Sequence, residues 1–168
     1  GLTTLRSRHV AADGTRLRFR FKGKSGKEWN LQLVDRRLVR VIRSMQELPG
    51  QNLFQYVGDE GDPHVVRSQD VNLYLRDISG ADFTSKHFRT WAGTIAAANL
   101  LRAAELPDTK SAQARTLNGV IDQVASRLGN TRAVCRSSYI HPRVLEDWLA
   151  GRLSADLDRL STEAASET

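Results

Sequence analysis

The chain has 168 residues, 40% hydrophobic and 26% charged, an ordinary composition for one soluble domain with its own core and no room for an independent second. No apolar run reaches the length of a membrane span and no signal peptide opens the sequence, while the single cysteine, Cys135, excludes an intramolecular disulfide and a cysteine-based metal site, so we expect a protein of the reducing cytoplasm. The formal charge of +6 is uneven: residues 1–45 carry twelve Lys/Arg against three Asp/Glu, the other 123 carry 13 against 16, and this concentration predicts a footprint for a polyanion.

Thr3–Val10 is the first predicted strand, turned by Asp13-Gly14. Arg16-Leu17-Arg18-Phe19-Arg20-Phe21-Lys22 alternates strictly between cationic and apolar residues. That period of two describes a half-buried strand with Leu17, Phe19 and Phe21 toward a core and Arg16, Arg18, Arg20 and Lys22 outward. Trp29-Asn30-Leu31-Gln32-Leu33 repeats the alternation, and Gly23-Lys24-Ser25-Gly26-Lys27 suits the hairpin between them. A small antiparallel sheet follows, three-stranded and cationic on its exposed side.

Leu38, Val41, Ile42, Met45 and Leu48 form the stripe of a helix that stops at Pro49-Gly50, and residues 51–63 are expected as a loop or a short helical turn. Ser68 can cap a helix to about Ile78, ended by Gly80. Thr84 can cap the next, which is apolar nearly all round from Trp91 to Leu101 and is therefore expected at the centre of the domain. Pro107-Asp108-Thr109 breaks it, and Lys110–Leu128 forms a further helix stopped by Gly129. A short helix carries Tyr139, and the last begins near Pro142 with Leu145, Trp148 and Leu149. Residues 154–168 are expected as a polar, loosely held tail. The fold class is α+β, mostly helical, with the sheet first and a helical bundle after it.

Three islands carry chemistry. Tyr139 lies nine residues after Asn130 of Leu128-Gly129-Asn130, with Arg132 and Arg136 between. Nine residues of straight helix turn the chain by about 900°, which puts Asn130 and Tyr139 on opposite faces. They meet only across a bend, and Gly129-Asn130 supplies one, with Asn130 itself a candidate left-handed helix cap. Lys24 tips the hairpin Phe21-Lys22-Gly23-Lys24-Ser25-Gly26, where a lysine is ordinarily just solvated; no Gly-x-x-x-x-Gly-Lys-Ser/Thr loop is present, so no nucleotide is implied. Arg89 follows Lys86 by one turn, and a buried arginine there needs an anion, either Asp82 or a phosphate. A hydroxyl nucleophile, a lysine in a Gly-rich turn and a helix-borne arginine can attack a phosphodiester without a metal. His9, His64 and His141 lack metal-ligand spacing.

Order and spacing of these islands resemble the C-terminal catalytic half of bacterial, poxvirus-like type IB DNA topoisomerases. The resemblance runs to about Leu153 and includes Val66–Leu75 and Phe88-Arg89-Thr90-Trp91-Ala92-Gly93-Thr94. It implies that residues 1–153 are a catalytic domain in which Tyr139 attacks duplex DNA to give a 3′-phosphotyrosyl intermediate. Lys24 would then be the general acid, and Arg89 and Asn130 would stabilise the phosphorane-like charge. Lys86, Arg136, Arg16, Arg18 and Arg20 are expected on DNA. No cofactor, metal or ATP is implied, and the expectation is a monomer on the bacterial nucleoid. Asn130 stands where poxviral and eukaryotic members and most tyrosine recombinases carry histidine. Lys86-x-x-Arg89 and the Lys24 hairpin separate the chain from the recombinases, which usually have His-x-x-Arg. The family's other catalytic arginine lies in an Arg-x-Gly-Asn motif upstream of the first strand, where these residues have none, and Arg6 does not fill the gap. With Gly1 in place of an initiator methionine, we expect a fragment without that motif and without the N-terminal clamp half. The rival readings are a tyrosine recombinase and a non-catalytic DNA-binding module in which Tyr139 is inert.

Overall fold

The structure, a computed structural model, describes residues 1–166, leaving aside the side chains of Ser25, Leu160, Ser161 and 163–166. The chain divides into two compact units, 1–82 and 83–168, each with its own hydrophobic cluster where length alone suggested a single core.

In the first unit, β1 (Val10–Asp13), β2 (Arg16–Lys22) and β3 (Glu28–Val34) form the expected antiparallel sheet in the order β1-β2-β3. Leu17 pairs with Leu33, Phe19 with Leu31 and Phe21 with Trp29, so one face is apolar. The first strand begins where the expected one, Thr3–Val10, was to end. Leu2–Thr4 and Ser7–His9 are 3₁₀ turns, because this backbone bonds elsewhere: Ser7 N–H donates to Gln51 O and Leu5 O accepts from Leu53 N–H. Alternation also fails to bury β3. Helix α1 (Arg36–Gln46) packs on β1 and β2, leaving Leu31 and Leu33 of the edge strand 44% and 47% exposed.

The stripe expected on α1 is rotated. Val39 and Ile42 are buried against Leu17 and Phe19, whereas Leu38 and Val41 face solvent. Asp35 caps the helix, its carboxylate accepting from Arg37 and Leu38 N–H at 2.7 and 3.0 Å. The expected loop at 51–63 instead contributes to a hairpin of β4 (Gln55–Val57) and β5 (Pro63–Val65). Helix α2 (Ser68–Ser79) ends at Gly80 as expected, but its cap is Arg67, whose N–H donates to the Asp70 carboxylate at 2.7 Å.

The second unit holds α3 (Ser85–Arg102), α4 (Lys110–Leu128), α5 (Arg132–Ser138), α6 (Pro142–Leu149) and α7 (Leu153–Ser166). Its core gathers Leu101, Leu117, Ile121, Val124, Cys135, Ile140 and Trp148. Full burial of side chains such as Leu101 or Ile121 stabilises by about 1.5–3 kcal/mol each. Helix α3 is central on one side only: Gly93, Ala97, Ala98 and Leu101 face inward, while Trp91 is 64% exposed and Phe88 and Ile95 face solvent. The stretch expected as a loose tail is helical to Ser166, with Leu157 packed on the core and Asp158 paired to Arg102 at 2.5 Å; Glu167 and Thr168 lie outside the described residues.

One charged group is built into this unit. Asp147, 6% exposed, accepts from Arg143 Nε at 2.9 Å and Arg152 Nε at 2.7 Å. Burial opposes its charge, but the hydrogen bonds from Arg152 and Arg143 outweigh it and hold the carboxyl below its ordinary range. A carboxylate lowered in the folded state contributes its stability above the unfolded value and loses it as pH falls through the folded one. Asp147→Asn is therefore expected to lower the melting midpoint at neutral pH, with the gap to wild type closing as pH falls below about 4. Thermal melts across that range test this; a gap that stays constant refutes it.

Candidate active site

The site in the helical unit begins with how α4 ends. Gly129 adopts the left-handed conformation (φ 68°) that side chains disfavour, so it takes the cap role open to Asn130 in the sequence. Gly129 N–H donates to Ser126 O at 3.2 Å and Asn130 N–H to Ala125 O at 2.8 Å, a Schellman closure that turns the chain out of the helix. This is the bend that nine residues of straight helix could not supply. Thr131 then caps α5, its hydroxyl accepting from Val134 N–H. After the seven residues of α5 the chain reaches Tyr139, half-buried at the C-terminal cap and packed on the core.

The cap leaves the Leu128 carbonyl without a helical partner. Two side chains supply donors. The Arg89 guanidinium donates to it from α3, and Asn130 Nδ2 donates at 3.4 Å. The same guanidinium lies over the Tyr139 ring, 5.0 Å from its centroid. Arg89 and Asn130 thus meet at one carbonyl oxygen, and Arg89 links that pair to the Tyr139 ring. Arg89 is exposed rather than buried as expected, and its alternative partner is taken: Asp82 pairs with Arg76 at 2.7 Å. Beneath them, burial raises the Cys135 thiol pKa, an effect the nearby Arg89 charge partly offsets.

Helix α3 also grips the tyrosine's surroundings. Thr90 Oγ1 donates to Ser138 O at 3.2 Å, and Thr94 Oγ1 accepts from His141 N–H at 3.1 Å. A Cβ on Gly93 would fall well inside contact with the Tyr139 carbonyl oxygen and 3.2 Å from Leu128 Cδ1. Of the arginines flanking Tyr139, Arg132 is engaged with Asp122 through two hydrogen bonds, one of 2.7 Å, which hold the Asp122 carboxyl below its ordinary range. Arg136 is exposed with no ion partner among the described residues.

Lys24 belongs to the other unit. It opens the 3₁₀ turn Lys24–Gly26 between β2 and β3, where its carbonyl accepts from Lys27 N–H at 3.4 Å, and its exposed side chain has no hydrogen-bond or ion partner among the described residues. Gly23 N–H donates to Lys27 O at 2.8 Å and closes the turn beneath it.

A family model for the catalytic core of eukaryotic DNA topoisomerase I matches residues 1–162. The chain belongs to this topoisomerase I family. The DNA topoisomerase 1B of Acanthamoeba polyphaga mimivirus is 28% identical over 153 residues, 87% of this chain and 46% of that relative. The chain spans about half the length of the curated relative.

For a topoisomerase I family member, the distribution of cations matters beyond the tyrosine. Arg16, Arg18 and Arg20 are exposed on the sheet face opposite α1. Arg18 lies 3.8 Å from Asp13, an exposed pair of little energetic weight, and Arg16 and Arg20 have no ion partner among the described residues. Lys86 is exposed in the first turn of α3. Sequence reasoning did not single out Arg36, Arg40 and Arg43, which with Gly14 and Ser44 line an open depression of about 520 Å³ on α1. Their signal was in the +9 balance of residues 1–45, but the misphased apolar stripe hid which side of the helix they occupy. The positions of Thr90, Gly93 and Thr94 around Tyr139 were also missed, although the motif containing them was noted. Among the described residues no helix is long and apolar enough to cross a membrane.

Proposed function

We propose that this chain is the C-terminal catalytic part of a type IB DNA topoisomerase of the bacterial, poxvirus-like branch. The observation that carries the reading is that Arg89 and Asn130 meet at the Leu128 carbonyl while the same Arg89 guanidinium lies over the Tyr139 ring, all within one unit. A carbonyl oxygen is a weaker acceptor than a phosphate oxygen, so donors gathered there are placed to pass to an anion arriving beside the phenol. Asn130 supplies a neutral amide donor in this branch, and Arg89 the charge.

In this mechanism the Tyr139 hydroxyl gives its proton to solvent water as its oxygen attacks the scissile phosphorus of duplex DNA. The bond to the 5′ oxygen breaks, Lys24 protonates that oxygen, and a 3′-phosphotyrosyl linkage remains. The free end rotates, and the 5′-hydroxyl then attacks the phosphotyrosine in reverse, relaxing the supercoil. Bond energy stays in the covalent link, so neither ATP nor a metal is consumed. Arg16, Arg18, Arg20, Lys86 and Arg136 neutralise phosphates and hold the duplex. The protein acts as a monomer on the DNA of a bacterial cytoplasm. Residues 1–153 carry the catalytic machinery, and the rest of α7 braces it through Leu157 on the core and the Arg102–Asp158 pair.

The test is plasmid relaxation in EDTA without ATP, run with this chain and with a form that also carries an Arg-x-Gly-Asn segment. In the 168 residues that pattern occurs as Arg127-Leu128-Gly129-Asn130, at the end of α4, and not ahead of the first strand, where the family's motif lies. A missing preorganised charge donor costs about 10²–10³ in rate. The chain alone is expected to bind duplex in a salt-sensitive way and relax plasmid poorly, and the extended form to relax it fully. Full activity from the chain alone refutes the role given to the absent arginine; no relaxation by either form refutes the topoisomerase reading.

A further inference from the structure

Tyr139 stands at a place where helical hydrogen bonding runs out. It is the last residue that α5 holds, its N–H donating to Cys135 O at 3.0 Å, with φ −131° and ψ −2°, and Pro142 already begins α6. Carbonyls just past a helix end lack intrahelical donors, so the backbone at 138–141 needs outside contacts to be fixed. Those contacts come from one face of α3. Thr90 bonds the Ser138 carbonyl, Thr94 the His141 N–H, and Gly93 between them lies against the Tyr139 carbonyl.

The ordinary explanations of these residues do not fit well. A helical threonine usually returns its hydroxyl to a carbonyl of its own helix one turn back. Thr90 reaches instead across 48 residues to Ser138. A helical glycine costs about 1 kcal/mol relative to alanine and is kept where a backbone must come close. Here the close neighbour is the carbonyl of Tyr139 itself. Gly93 is buried, so a methyl there could not turn away to solvent.

We propose that Thr90 and Gly93 are positioning residues for Tyr139. The inference rests on the proposed function for its catalytic consequence. Arg89 reaches the Leu128 carbonyl from the same helix, so α3 sets both the charged donor and the backbone from which the phenol projects. A methyl at position 93 pushes the Tyr139 backbone away from α3. The ring moves with it, away from the Arg89 guanidinium. Loss of the Thr90 hydroxyl frees the Ser138 carbonyl and loosens the same segment without adding bulk.

The test compares Gly93→Ala, Thr90→Val and Thr90→Ser in the extended enzyme. Three quantities are measured: the single-turnover rate of covalent adduct formation on a nicked duplex, the duplex Kd, and the rate at which N-acetylimidazole acylates the Tyr139 phenol, read by mass spectrometry. A misplacement near 1 Å costs about 10²-fold, the expected loss in adduct rate for Gly93→Ala. Loss of one net hydrogen bond corresponds to about five- to tenfold for Thr90→Val. Thr90→Ser keeps the hydroxyl and is expected to match wild type, and Kd is expected to stay within about twofold throughout, since binding and transition-state terms separate. Acylation of Tyr139 is expected to change in Gly93→Ala and Thr90→Val but not in Thr90→Ser. Should Gly93→Ala fail to fold, the two Thr90 variants decide. Wild-type adduct and acylation rates in Thr90→Val, or an equal loss in Thr90→Ser, overturn the proposal. If the unsubstituted enzyme forms no adduct, the proposed function falls, and the acylation rates alone decide whether α3 positions Tyr139.

Discussion

Tyr139→Phe in the enzyme containing this chain is expected to retain duplex binding and to lose covalent DNA–protein adducts altogether. The substitution removes the phenol oxygen and nothing else. Phenylalanine keeps the ring on which the Arg89 guanidinium rests at 5.0 Å and the packing of that ring on the helical core. Arg89 and Asn130 can therefore still meet a phosphate, and the exposed cations of β2 are untouched. Without the phenol oxygen the proposed ester cannot form at this position, so the loss is expected to reach the detection limit rather than a fraction of wild type. Denaturing gels of labelled duplex after reaction measure it directly. Adducts that persist in the variant, or that map to another side chain, would remove Tyr139 from the mechanism.

Lys24→Ala is expected to slow cleavage by about 10²–10⁴-fold on ordinary DNA, the range of a general acid. The hairpin survives the change, because its closing bond from Gly23 N–H to Lys27 O and the pairing of β2 with β3 are backbone contacts. In the proposed role, what is lost is a proton for the departing 5′ oxygen. A duplex with sulfur at that position departs as a thiolate and needs no proton, so on it the variant should cleave much closer to the wild-type rate. Equal losses on both substrates would make Lys24 a phosphate contact or a structural residue.

Local patterns in the sequence were legible where one force dominates. The Arg-Leu-Arg-Phe-Arg-Phe alternation is a two-period, and β2 follows it with Leu17 and Phe19 inside. Gly80, Thr84, Thr109 and Gly129 mark helix ends because backbone termini demand those residue types whatever the tertiary setting. Readings failed where neighbours decide. Val39 rather than Leu38 faces the sheet, since the rotation of α1 depends on which strands it covers. Alternation cannot say that β3 is an edge whose leucines stay half in water, nor that Trp91 of an apolar helix faces solvent.

In the site, the spacing from Gly129-Asn130 to Tyr139 was readable as a required bend, and the bend is a Schellman cap. That Arg132 is occupied by Asp122 was not readable, because the partners lie ten residues apart on different helices. The role of Arg89 was readable only through its motif. Its exposure and its hold on the Leu128 carbonyl depend on where α4 ends relative to α3.

The grip of α3 on the segment from Ser138 to His141 bears on how this unit would fail under heat. Hydrogen exchange commonly reveals local openings well below the global unfolding energy, and residues on connections are the first to escape. Here the connection that carries Tyr139 is tied at Ser138 and His141 to a helix whose inner face includes Gly93, Ala97, Ala98 and Leu101. Amides around Tyr139 should then exchange with the slow protection of α3 rather than with the fast protection of an interhelical turn. The spacing between guanidinium and phenol would be a property of the whole cooperative unit, lost in one step with it.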